Sequence, residues 1–453
     1  MNLALYFILE HYIANTTSIN SYLGSHYLAG YLLGIISDMR KFWITQKQNY
    51  KVMIIRDSIT MFSGRRPLER GMAGYESIFL SRLGASALHI GYVNGAQSLL
   101  GLLLAVPSGL FIDNSNDIRR IYYGSFLLGL PAFLGLYFST GWRMYLAMML
   151  VYTASLSIKF PSQLIIDIDS MEDTSRVSGL GFYRTITALA GVTSPMLIAL
   201  AIDRLGGLGS ADNIRPLFLL FFLADLLILY LVYKHLEPVN IRREKKSENI
   251  LDGVRAIINS PFRLKLLLFS EITTLLVMTM MSPFRGIYQV DIKTATLIIF
   301  GWIGVAEPFI DIFFSIPLAN IVEKYGRKKT AYIGHFLGIL ARLLLVLTPA
   351  SLPSLLILVS VLGSLEGCLY VGMDAYSQEA IPQTMRGSYV GVKNLIAGLI
   401  GIAGPVIGGY IWGINPNLLF WIPVFQWSLI AFPILVILME RYSKEGFVKE
   451  IYA

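Results

Sequence analysis

Apolar stretches of roughly 20 residues follow one another along most of the chain, with short polar breaks between them. Each is long enough to cross a hydrocarbon core of about 30 Å as a helix, which limits the fold to a bundle of membrane-spanning helices. The spans read at 54–83, 89–111, 119–139, 143–168, 177–204 and 214–235. After a polar stretch they resume at 263–289, 295–320, 330–348, 352–379, 387–412 and 418–439. Composition agrees: charged residues make up 15% of 453 residues and hydrophobic ones 55%, against about 25% charge in soluble domains.

The net charge of +8 would suit a nucleic-acid partner, but its placement points to topology instead. Arg40, Lys41, Lys47 and Lys51, then Arg119 and Arg120, then 242–246 with Arg255, then 324–329, then Arg441, Lys444 and Lys449 flank every second break. The intervening loops hold little beyond Arg143, Arg204, Arg215 and Lys293. The positive-inside rule makes the basic set cytoplasmic and, for an even number of spans, puts both ends of the core on the cytoplasmic side of the cell membrane. No nucleic acid is expected. With Cys368 the single cysteine and five histidines scattered without ligand spacing, no metal or other cofactor is expected either.

The halves are related by an internal repeat at an offset of 210 residues. Gly91 matches Gly301, Pro107 Pro317, Tyr122 Tyr332, Gly124 Gly334, Phe126 Phe336, Arg176 Arg386, Gly181 Gly391, Gly191 Gly401 and Pro195 Pro405, while Asp113 faces Glu323. The division is therefore an N-terminal extension (1–52), a six-helix bundle (53–235), a linker (236–262), a second bundle (263–440) and a tail (441–453). Within the linker Ile250, Leu251, Val254, Ile257 and Ile258 share one helical face, as in a helix lying along the cytoplasmic surface. The extension reads as an interfacial helix, as an extra span, or as sequence upstream of a translation start at Met53. Repeated bundles suit a carrier, because two similar bodies can rock about a site held between them.

The segment from Ala319 through Glu323, Lys324, Gly326, Arg327, Lys328 and Lys329 resembles the cytoplasmic signature of the major facilitator superfamily, G-x-x-x-[DE]-[RK]-x-G-[RK]-[RK], with Ala319 in place of the first glycine. Its counterpart, from Gly109 through Asp113 to Arg119 and Arg120, keeps the glycine and the acid and loses the second glycine and the basic triplet. The resemblance covers about residues 53 to 440. It implies an all-helical transporter of about 12 spans that takes a small solute, with a coupling ion, through alternating access and needs one copy of the chain. It implies a cytoplasmic gate of Asp113, Glu323, Gly326, Arg327 and Lys328 with Arg176 and Arg386, the acids meeting backbone N–H groups at helix starts and the arginines. The basic residues can also be read as topology signals alone. Gly404, Pro405, Gly408 and Gly409 resemble the family's antiporter signature, but on the eleventh span rather than the fifth, where Ser194 and Pro195 stand; antiport is not inferred. Pro195, Gly404 and Pro405 are expected to bend helices or let them approach closely.

In such an architecture the first, fourth, seventh and tenth spans line the path. Arg65, Arg66, Glu69 and Arg70 fall near the middle of the first span, with Arg66, Glu69 and Arg70 on one face. That face either meets an anionic solute or pairs with acids such as Glu271, Glu366 and Asp374, unless the stretch lies outside the bilayer. Glu307 and Asp311 stand one turn apart in the eighth span, near the depth of Arg342 in the ninth. They read equally as proton carriers or as a buried pair with Arg342. Lys159, Arg184 and Asp225 are weaker candidates.

Two other classes stay open. One is a non-transporting receptor or scaffold. The other is a magnesium-dependent transferase acting on a lipid diphosphate, suggested by Asp167, Asp169, Glu172 and Asp173 and opposed by the unremarkable repeat partner at 377–383.

Overall fold

A computed structural model describes residues 43, 46–65, 74–115, 117–171, 176–239, 260–381 and 386–440. They contain helices and no strand. In chain order these are α1 (Gln48–Phe62), α2 (Tyr75–Arg82), α3 (Ala87–Asp113), α4 (Ile118–Tyr137), α5 (Trp142–Ser170), α6 (Arg176–Val192), α7 (Ser194–Arg204) and α8 (Ala211–His235). Then come α9 (Phe262–Ile292), α10 (Leu297–Tyr325), α11 (Arg327–Leu347), α12 (Leu355–Ala380), α13 (Arg386–Ile414) and α14 (Pro416–Met439). Among the described residues nine helices are long and apolar enough to cross a membrane. The α1/α2 pair, α4 and α12 stand where the first, third and tenth spans were expected without meeting both criteria.

Short turns start and stop these helices chemically. Ser86 Oγ accepts from His89 N–H at 3.3 Å while His89 Nδ1 accepts from Ser86 N–H at 3.2 Å, a reciprocal cap that begins α3. Asp117, Thr296 and Asn415 accept from backbone N–H groups at the starts of α4, α10 and α14. Between α10 and α11 the joint is Gly326, at φ 89°, a conformation open to glycine and strained for other residues. The signature read as a loop is thus helical through Tyr325.

The first span departs from the single helix expected at 54–83. Helical geometry ends at Phe62, and Gly64 turns the chain at φ 74°. Arg66, Glu69 and Arg70, with their expected shared face, lie outside the described residues, as do the linker's amphipathic segment and the N-terminal extension up to residue 42. The fifth span is likewise two helices, α6 and α7, broken at Thr193 ahead of Pro195, where proline removes a donor. Pro405, by contrast, is carried inside a continuous α13.

Large apolar side chains point outward. Leu223, Leu226, Leu227, Tyr230 and Tyr233 on α8 are all exposed, as expected of helices solvated by lipid. Polar groups turn inward: Arg65 and Asp225 form a buried ion pair. The two halves meet along α3 against α13 and α7 against α10. Small residues permit the approach: a Cβ on Gly91 would stand 2.6 Å from Pro405 O, and one on Gly304 2.6 Å from Pro195 Cβ.

Candidate functional site

The seam between the halves is closed at one end of the bundle and open at the other. From Ala87 inward, α3 touches α13 in sequence: Ala87 with Gly409, Gly91 with Pro405, Gly95 with Ile402, Ser98 with Gly401 and Leu102 with Gly398. Successive turns of the same two faces then reach Gly109 and Gly391, where an added Cβ would have nothing within 4 Å. Leu103, Val106 and Leu110 on α3 and Val390 on α13 are at least half exposed.

Charge and aromatic packing hold the closed end. Arg82, at the end of α2, makes a bidentate ion pair with Asp291 near the end of α9, at 3.0 Å (Nη1–Oδ2) and 2.5 Å (Nη2–Oδ1). Its Nε also donates to Leu208 O at 2.7 Å. Gly286 lies against the Gly74 carbonyl, and Tyr75 meets Phe300 edge-on with centroids 5.1 Å apart. Inside this seal sits Glu76, buried, in no ion pair among the described residues, and with Oε2 lacking a hydrogen-bond partner.

Below the seal the C-terminal half carries charge on α9 and α10. Trp302, Phe309 and Phe313 form the exposed apolar face of α10, while Glu307 and Asp311 lie roughly 140–180° around the helix, on the side toward the other half, and are exposed there. Arg285 on α9 is exposed although protein surrounds it, and it feels the charges of Glu307 and Arg342. Cys368 points its thiol at Asp311 Oδ1 from 3.8 Å. Arg285 and Glu307 lie about 10–15 Å in from the closed end at 1.5 Å per residue.

Several expected pairings differ. Arg342 joins Glu366 at 2.8 Å, donates to Gly338 O at 2.8 Å and stacks 3.7 Å over Trp427; Glu307 is not in that pair. Glu271 is engaged by Lys393 at 2.9 Å and by the Tyr389 hydroxyl at 3.0 Å, so it is not a free acid for arginines of the first span. Arg65 takes Asp225, donates to Thr60 Oγ1 at 3.2 Å and lies 5.6 Å from the Phe133 ring. Lys159 is buried over Phe126.

At the open end Asp113 and Glu323 are exposed and make no hydrogen bond or ion pair with a described residue. Lys328 is exposed and Arg327 partly so. Arg176, Arg386, Arg184 and Asp374 lie on described helices, but their side chains are outside the described residues. Asp167 and Asp169 end α5, with Asp167 turned toward Asp57 and Arg56, while Glu172 and Asp173 are outside the described residues.

The sequence reading missed Arg285, Glu76, Asp57 and the Arg82–Asp291 pair. Asp57 accepts from Tyr183 and pairs with Arg56. Arg82 and Asp291 stand 209 residues apart, almost the repeat offset, and that was the available signal.

A model of the family described as Major Facilitator Superfamily matches residues 70–305 and 267–450. An uncharacterised MFS-type transporter of Methanocaldococcus jannaschii is 25% identical over 352 residues, spanning 76% of this chain and 84% of that one. Among solved structures, the nucleoside transporter NupG superposes with a TM-score of 0.68 at 12% identity, over 88% of this chain and 100% of its own. A POT family transporter holding a thioalcohol-conjugated peptide gives 0.63 at 14%, over 89% and 96%. A bacterial homologue of the human lysosomal transporter Spinster, inward-facing and unoccupied, gives 0.58 at 14%, over 89% and 93%.

Proposed function

The chain belongs to the Major Facilitator Superfamily, a family of multi-pass membrane transporters rather than enzymes, and we propose that it is a proton-coupled secondary carrier of a small solute, working by alternating access in the cell membrane. The observation that supports this reading best is the seam closed from Ala87 to Leu102 and open beyond it. A channel would join both ends; a carrier seals one at a time.

The basic loops assign the open end to the cytoplasm, so this conformation faces inward. In the outward-facing state Asp113 and Glu323 come against helix starts and arginines, with Gly326, Arg327, Lys328, Arg176 and Arg386 completing the cytoplasmic gate, while Arg82 and Asp291 part. Gly404, Pro405 and Pro195 serve the seam at its closed end, next to Thr279, Gly91 and Gly304. Arg66, Glu69, Arg70 and Asp374 remain candidates for the path beside Glu307 and Asp311, with Glu271, Arg342 and Glu366 as paired supports. Path and both gates come from one chain, so a monomer suffices.

Glu76 is the group we assign to the proton. Among the described residues no cation pairs with it, and a carboxylate so enclosed is costly to charge, which suits uptake and release of a proton as the outer seal closes and opens. Proteoliposome uptake of organic anions, amino acids, sugars and lipophilic cations, with and without an inward proton gradient, tests both parts. Gradient-driven uptake of one class is expected, with Glu76→Gln losing the gradient dependence while exchange of preloaded solute persists. Folded protein that moves no solute in any condition would favour the receptor reading, and full gradient dependence in Glu76→Gln would remove the proton from this residue.

A further inference from the structure

Two opposite charges on the path are not spent on each other. Arg285 is exposed within the protein and makes no hydrogen bond or ion pair with a described residue; Glu307, the acid whose charge reaches it, is exposed and equally unengaged. Two neighbouring charged groups among the described residues already have partners. Arg342 is held by Glu366, Gly338 O and Trp427, and Asp311, one turn from Glu307, accepts from Cys368. Such a site holds a cation and an anion, both exposed and farther apart than an ion pair.

From this we infer that the solute is a zwitterion, with a carboxylate or similar anion taken by Arg285 and an ammonium group by Glu307. The inference rests on the transport reading above. Its physical basis is charge balance. A solute bearing both charges replaces water at both groups and leaves neither uncompensated, whereas a solute with one charge desolvates a partner it cannot satisfy. A neutral solute would do so twice. The guanidinium suits the anionic end because its planar fork takes a carboxylate bidentately. The approach is open from the Asp113 end and blocked above by Gly286 on Gly74 and by Arg82 on Asp291, so the site lies where a solute entering from the open end would stop.

The test uses the full chain in detergent and matched solutes: L-leucine, L-phenylalanine and L-alanyl-L-leucine, each with its amide, which is only a cation, and its N-acetyl derivative, which is only an anion. At least one zwitterion is expected to raise the unfolding midpoint, with its singly charged analogues needing ~10–100-fold higher concentration, the worth of one charge-assisted hydrogen bond. Arg285→Gln and Glu307→Gln should each abolish that preference, while Arg285→Lys and Glu307→Asp retain part of it; midpoints without solute report whether each variant folds. If an amide or N-acetyl analogue stabilises as well as its parent, or if no zwitterion stabilises at all, the inference falls. Counterflow of the stabilising zwitterion in proteoliposomes separates the two readings. Binding without counterflow removes transport and leaves the zwitterion site. Counterflow of a neutral or singly charged solute, unchanged in both variants, does the reverse.

Discussion

The two ends of the bundle are built from repeated sequence and yet do opposite things. At one end Arg82 and Asp291, nearly equivalent in the two halves, meet across the seam as a bidentate pair. At the other, Asp113 and Glu323, also equivalent, are both acids, exposed and without a partner among the described residues. Facing positions of opposite sign can bind one another; facing positions of like sign need other partners, here helix starts and arginines. The closed end is thus self-sufficient, and the open end must recruit its lock from other helices.

The seam gives the largest expected contrast. Gly91→Leu places atoms where Pro405 O already stands; overpacking of about 1–3 kcal/mol should open the sealed end and cut uptake about 5–150-fold. Gly109→Leu fills open space in this conformation, so its unfolding midpoint should move by less than about 2 °C. Its uptake should nevertheless fall as far, because the closed cytoplasmic seam cannot form. Equal loss of folded protein in both would erase the distinction between the ends. A smaller effect is expected from Asp291→Asn. Losing the charge-assisted pair, worth about 1–2 kcal/mol, should raise labelling of Ser77→Cys from the sealed side about 5–30-fold in a Cys368→Ser background; unchanged labelling would mean that apolar contacts alone hold the seal. Smallest is Glu323→Gln, which has no partner among the described residues to lose in this conformation. Loss of a helix-start interaction of about 0.3–1 kcal/mol should slow uptake less than about sixfold, without altering the midpoint.

Much of this was legible in the sequence, and the misreadings share a cause. Span positions follow from runs of apolar residues, a local property, and, the first span apart, the helices fall within a few residues of them. The repeat was legible because matched glycines and prolines sit where two backbones touch, as at Gly91 and Pro405. Partnerships of charges were not. Glu366 and Glu271 looked like free acids because Arg342 and Lys393 lie on other helices, and one-dimensional spacing is blind to such pairs. Asp225 read as a weak candidate for the same reason, with Arg65 placed in a helix that in fact turns at Gly64. Glu76 and Arg82 were not singled out, and the pairing of the second with Asp291 lies across the seam, where spacing along the chain does not reach.

The central claim is that the ends open in alternation. Spin-label distances across each end test it directly, with pairs at Leu110 and Val390 for the open end and at Leu88 and Tyr410 for the sealed end, all exposed positions, in the Cys368→Ser background. In the absence of solute the Leu110–Val390 distribution should be long and the Leu88–Tyr410 distribution short. In Gly109→Leu both should stay so under every condition. With solute and a change of pH, the unblocked protein should populate a second state in which the first distance shortens as the second lengthens. Distances that lengthen together, or a sealed end that never opens while uptake proceeds, would contradict the account.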